Sequence, residues 1–216
     1  MNTESDFLWQ EFFAPPYADD FNISNLEKMH AQGVDWRKRD LDGQGALVYF
    51  VSFNNIEGVR FLFKNGFSPN HLDYVGLEEE ESKKEKHTLI EHAVSNARLE
   101  MVKFLIEQGA DVLLKNSLGN TALIAACVEM EVEDGRGVSA EIFETLLDEI
   151  PDLNVLGDEK EQIHRRLNNI VNHEILNKEM SEKGWAAIDR FRAMCDHIEL
   201  QKEVISAPKL RRGGRL

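Results

Sequence analysis

The sequence is short of cysteine, short of positive charge and free of long apolar runs, and each shortage removes a class of protein. Its 216 residues hold two cysteines, Cys127 and Cys195, far apart and outside any CxxC pair. Two such thiols make no disulfide framework, so reduced cysteines in a reducing compartment are expected. The opening residues, Met1-Asn2-Thr3-Glu4-Ser5-Asp6, are acidic where a secretory leader is basic, and no apolar h-region follows. No apolar stretch is long enough to span a bilayer. A cytoplasmic protein is the expectation. Against 39 Asp and Glu stand 25 Lys and Arg, a net charge of −14. Such a surface repels phosphate backbones and anionic lipid headgroups, which argues against nucleic acid or membrane as partner and suits a basic protein.

Catalytic motifs are missing too. The chain contains no HExxH, GxSxG, GxxxxGKS/T or GxGxxG. Seven histidines are scattered, and His92 reads as a structural hydrogen-bonding residue. Cys195-Asp196-His197 places a thiol beside an imidazole, but adjacent residues on a helix point apart and Cys195 belongs to an apolar stripe. The many carboxylates read as solubility. No enzyme, cofactor or metal site is expected.

What is present is a core-forming composition, 42% hydrophobic and 30% charged, and a repeat. Gly58-Val59-Arg60-Phe61-Leu62-Phe63-Lys64-Asn65-Gly66 returns as Met101-Val102-Lys103-Phe104-Leu105-Ile106-Glu107-Gln108-Gly109. It returns more faintly at Leu26 to Asp35 and at Ile142 to Asn154. Gly33 and Gly66 are 33 residues apart, as are Asp40 and Asp73. Gly66 to Gly109 spans one period plus ten, and Leu105 to Leu146 one period plus eight. Asn116-Ser117-Leu118-Gly119-Asn120-Thr121-Ala122-Leu123 is similar to the D-x-x-G-x-T-P-L of the ankyrin family, and Asp40 to Gly43 and Thr88 to Ala93 carry parts of it. The chain therefore resembles an ankyrin-repeat protein, with a repeat of about 33 residues comprising a β-turn and two helices.

The repeated residue types have mechanical uses. Gly66 and Gly109 follow an apolar helix, where a left-handed residue ends it. Gly43, Gly76 and Gly119 fall in the next turn. Thr88 and Thr121 stand where a hydroxyl caps an inner helix. Val59, Leu62 and Phe63, like Val102, Leu105 and Ile106, mark one apolar helix face, which only a stacked neighbour can bury. The family's small buried position is filled by Cys127. The family's proline after the threonine is missing, with Ala46, Leu89 and Ala122 in its place, and Gly45 replaces one threonine.

The resemblance implies an all-α solenoid of helix pairs with short β-turn fingers and extra C-terminal helices. Its expected divisions are a capping helix or degenerate repeat at 1–21, repeats at 22–158, a helical cap at 159–206 and a basic disordered tail at 207–216. In the first, Phe7, Leu8, Trp9, Phe12 and Phe13 predict a short amphipathic helix over 6–13 that Pro15-Pro16 stops. In the cap, stripes at Ile163, Leu167, Ile170, Val171 and Ile175 and at Trp185, Ile188, Phe191, Met194, Cys195 and Ile198 predict helices over 160–177 and 181–205. Extra residues at 77–87 lengthen a finger, and those at 130–137 read as an acidic loop between inner and outer helices.

In this family the finger tips and the exposed side of the inner helices form the binding face. Transferred position by position, it comprises Arg39, Leu41, Asp42 and Gln44 on the first finger with Phe53 behind. Leu72, Tyr74 and Val75 lie on the second. Lys115, Ser117, Leu118 and Asn120 lie on the third, with Val128 and Glu129 behind. Apolar residues in a polar rim are what a protein-binding hot spot requires. The resemblance implies a non-enzymatic protein-binding module, monomeric outside its complex. Narrower expectations are a bacterial immunity protein that neutralises a cognate toxin, or an effector acting on host proteins.

Overall fold

The repeated apolar faces dictate helix pairs. The computed structural model describes residues 23–39, 44–74, 85–131, 136–172 and 182–206. The first outer helix, α1 (Ile23–Ala31), is followed by an inner and outer pair, α2 (Ala46–Ser52) and α3 (Ile56–Lys64). A two-stranded finger, β1 (Leu72–Tyr74) and β2 (Lys86–Thr88), leads into the pair α4 (Leu89–Ser95) and α5 (Leu99–Glu107). The third pair is α6 (Ala122–Glu131) and α7 (Arg136–Asp148), and a 3-10 turn at Leu153–Leu156 connects it to α8 (Glu159–Asn172) and α9 (Glu182–Ser206).

Outer helices end alike because glycine recurs in phase. Gly33, Gly66 and Gly109 have φ of +84°, +88° and +86°. Each lets the next residue's N–H return to a carbonyl of the last turn: Val34 to Met29, Phe67 to Leu62 and Ala110 to Leu105. That closes the helix and satisfies an orphan carbonyl. A side-chain turn follows each closure. Asp35, Asp111 and Asp152 accept from the backbone N–H two residues on, and Ser68 does the same with its hydroxyl.

Inner helices stack on inner and outer on outer. α2 packs on α4, α4 on α6 and α6 on α8, while α5 packs on α7 and α7 on α9. Phe50, Phe143 and Phe191 are among the largest fully buried side chains. Phe63 and Phe104 stack at 6.3 Å between α3 and α5, with the Arg60 guanidinium 4.8 Å from the Phe104 ring. The C-terminal helices thus take the places an inner and an outer helix of one more repeat would take. The aromatic segment at 6–13 and the tail at 207–216 lie outside the described residues.

One boundary differs from the sequence reading. Met130 and Glu131 belong to α6, and Arg136 and Gly137 to α7, so the segment between these helices is shorter than 130–137. Met130 falls in phase with Ala126 and Cys127 and is completely buried; one more apolar turn outweighs the acidic, glycine-containing composition around it. Lys86 and His87, the last of the extra finger residues, are strand paired with Tyr74 and Asp73. The inner-to-outer turns carry φ of +57° at Asn54 and +53° at Ala97. Alanine pays a steric cost there that glycine does not. Ala97→Gly is therefore expected to stabilise the chain by roughly 0.5–1 kcal/mol, read as a higher urea midpoint at unchanged slope.

Candidate functional site

The fingers and inner-helix ends are held by polar contacts running from one repeat to the next. At the root of the second finger, the buried Asp73 carboxylate accepts from the Arg39 guanidinium, with His71 Nε2 at 3.8 Å. Gly45 leaves room for it: a Cβ there would stand 2.6 Å from Asp73 Oδ2. Arg39 also forms a backbone bridge with Gly45. The Arg39 charge, transferred above to the binding face, is thus engaged in joining two repeats.

Two imidazoles meet at the root of this finger, His87 on β2 and His92 on α4. The His87 and His92 rings are 5.8 Å apart, and the Nε2 atoms of both are buried without a hydrogen-bond partner. Burial, helped by His87, pushes His92 down to about 4, and the Asp73 charge and carbonyl only partly oppose this. His92 is thus a neutral, half-buried ring near neutral pH.

The two threonine caps are built differently. Thr88 makes a capping box with Glu91, its hydroxyl accepting from Glu91 N and its own N–H donating to Glu91 Oε2 at 2.7 Å. Glu91 Oε1 accepts from Asn116 Nδ2 of the third finger at 2.6 Å, and burial raises its pKa despite these bonds. Lys86 and Ser117 add two bonds between the same fingers. Thr121 has isoleucine, Ile124, in the place of that glutamate. Its N–H and hydroxyl instead donate to Glu159 Oε1 of α8, at 2.7 and 2.6 Å. The proton of the Thr121 hydroxyl thus goes to a carboxylate from the C-terminal helices. Lys115, half exposed, approaches Glu159 Oε2 at 3.7 Å, so a second transferred cation faces a carboxylate of the fold.

The apolar candidates divide. Phe53 is 49% and Leu118 57% exposed. Leu72 and Val128 are half-buried, and Val128 rests on the core. Gln44 is exposed and Asn120 half-buried, its N–H bonded to Asn116 Oδ1. Leu41, Asp42 and Val75 lie outside the described residues, and of Tyr74 only the strand backbone is described. Tyr49, not among the transferred residues, stands beside Phe53 with ring centroids 4.6 Å apart. Its spacing of four from Phe53 on one helix face was the available signal. Glu129, transferred together with Val128, is a half-buried carboxylate in the last turn of α6.

Reactive chemistry is sparse. Burial raises the pKa of both Cys127 and Cys195, which disfavours the thiolate a nucleophile needs. Asp196 and His197 are exposed, and His197 Nε2 lies 2.7 Å from Gln201. A groove of about 310 Å³ is lined by Trp36, Leu47, Phe67, Arg37, Arg39 and Asp73. Its charged walls are engaged, Arg39 by Asp73 and Arg37 over the Phe67 ring at 5.1 Å. Among the described residues no group of His, Cys, Asp and Glu is arranged to hold a metal, and no helix is long and apolar enough to cross a membrane.

Comparison with known families places the repeats. The family described as ankyrin repeats (3 copies) matches residues 18–116, and that described as ankyrin repeats (many copies) matches residues 90–147. No curated protein matches the chain.

Proposed function

The chain belongs to the ankyrin-repeat family, and from that premise we propose that it binds a partner protein on the concave side, along the finger roots and the ends of the inner helices. The observation that carries this reading is the exposed Phe53 ring, braced by Tyr49 at 4.6 Å and bordered by polar Ser52 and Asn96. An aromatic that is already packed on one side loses little side-chain entropy when a partner covers the other. The bonds between repeats keep the surface preformed, so little ordering is needed on association.

The test is affinity capture with the whole chain, followed by titration of the captured protein against Phe53→Ser and Leu118→Ser. The Phe53 substitution is expected to weaken binding by about 1–2 kcal/mol or more, and Leu118→Ser by less. Equal affinity for wild type and both variants would remove this surface from consideration.

The acidic charge of −14 favours one narrower version, an immunity protein that neutralises a basic toxin. Co-expression should then rescue cells from a toxin encoded beside it, and absence of rescue counts against it. An effector acting on host proteins would instead be translocated, and removing residues 209–216 tests whether the basic tail directs that. The proposed setting for the immunity role is the cytoplasm, with the chain monomeric until it meets its partner.

A further inference from the structure

Four cations of the stack already face groups of the fold. Arg39 is bonded to Asp73, Lys115 lies 3.7 Å from Glu159, Arg166 lies 3.1 Å from Glu131, and Arg98 donates through Nε to the Ser52 carbonyl at 2.8 Å. Glu129 differs. It is half-buried in the last turn of α6, a turn with no basic residue, and no cation among the described residues pairs with it. Two physical effects work against its charge. A carboxylate in the last turn meets the negative end of the helix dipole, and partial burial removes water from it, which raises its pKa. A cation placed here would relieve both effects at once.

Phe53 and Asn96 cap α2 and α4 at the corresponding ends of those helices, and Asn96 Nδ2 reaches Ser52 Oγ at 3.5 Å. Since α4 stacks on both α2 and α6, the exposed aromatic and the unpaired carboxylate lie at the same end of the inner layer, two helices apart. At roughly 8–10 Å between packed helices, that is about 16–20 Å, or about five or six residues of extended chain.

We propose that Glu129 receives a lysine or arginine side chain from a basic segment of the partner protein, while the Tyr49–Phe53 pair receives an apolar residue of the same segment. The inference rests on the concave-side reading and narrows it to a partner of stated charge.

Random linear peptides displayed against the immobilised full-length chain provide the test. Peptides that bind the wild type should be enriched in lysine and arginine, with an aliphatic or aromatic residue about five or six positions away. Their affinity should fall about tenfold for Glu129→Gln and at least as far for Phe53→Ser. Circular dichroism of each variant checks that it folds like the wild type. Failure to enrich basic peptides, or basic peptides that bind Glu129→Gln as well as wild type, overturns the inference. If such peptides still depend on Phe53, the concave-side reading survives; if they are indifferent to Phe53, Leu118 and Glu129 alike, it falls with the inference.

Discussion

Glu159→Ala is expected to destabilise the chain by about 2–4 kcal/mol, and to loosen the C-terminal helices from the stack. The glutamate is 3% exposed and its Oε1 accepts two hydrogen bonds from Thr121, itself 1% exposed. Alanine removes the acceptor but leaves the Thr121 N–H and hydroxyl buried, and each unsatisfied buried group costs about 1–3 kcal/mol. The ion pair with Lys115 adds little, because that ammonium is half exposed and screened. Glu159→Gln keeps a carbonyl oxygen where Oε1 lies, so it should cost less than half as much. Urea denaturation followed by circular dichroism gives the two costs, and hydrogen exchange shows where protection is lost. The largest loss should fall in α8 and at the start of α6. Equal stability of wild type and Glu159→Ala would mean that the carboxylate does not hold α8 to α6.

Acid should destabilise the fold through His92. Its folded-state pKa is lowered from 6.5 to about 4, first by burial and then by the neighbouring His87. An unfolded chain takes up the proton near 6.5, whereas the folded chain resists until about 4. Stability contributed by the neutral ring is therefore complete above 6.5 and is lost as pH falls through that window, up to about 3 kcal/mol. The groups facing His92 are His87 and His71 from the finger and the Asp73 charge. Glu91, on the same helix and close to His87, works in the opposite direction. Its pKa is raised, so its contribution is lost as pH rises. Comparing His92→Leu with wild type isolates the histidine. The variant should lose less stability than wild type between about pH 7 and pH 5. A parallel decline in both would show that His92 takes no part in the acid response.

Local chemistry made the repeat legible. Gly66 and Gly109 announce where outer helices stop because glycine adopts a left-handed backbone without a Cβ penalty. The apolar spacing of Val59 and Leu62 and of Val102 and Leu105 announces the buried face, and all four are fully buried. Those signals lie within one turn of helix, so they survive in a single sequence. Met130 shows where they mislead: acidic and glycine residues around it suggested a loop, while its phase with Cys127 kept it helical.

The surface was less legible, for a different reason. Family position identifies Phe53 and Leu118, whose exposure depends on the regular repeat. It does not reveal that Arg39 and Lys115 meet Asp73 and Glu159, because nothing near them in sequence names those partners. The 3.7 Å approach of Lys115 to Glu159 and the joining of Arg39 to Asp73 both cross between repeats.

The sequence by itself determined that this protein is a stack of ankyrin helix pairs, since period, glycine placement and apolar phase are local properties. Tertiary structure alone decided which charges remain available and which are consumed, and that α8 supplies through Glu159 the carboxylate that the third pair lacks. Those choices depend on which residues far apart in the chain meet at hydrogen-bond distance, and on how much water is left around them when they do.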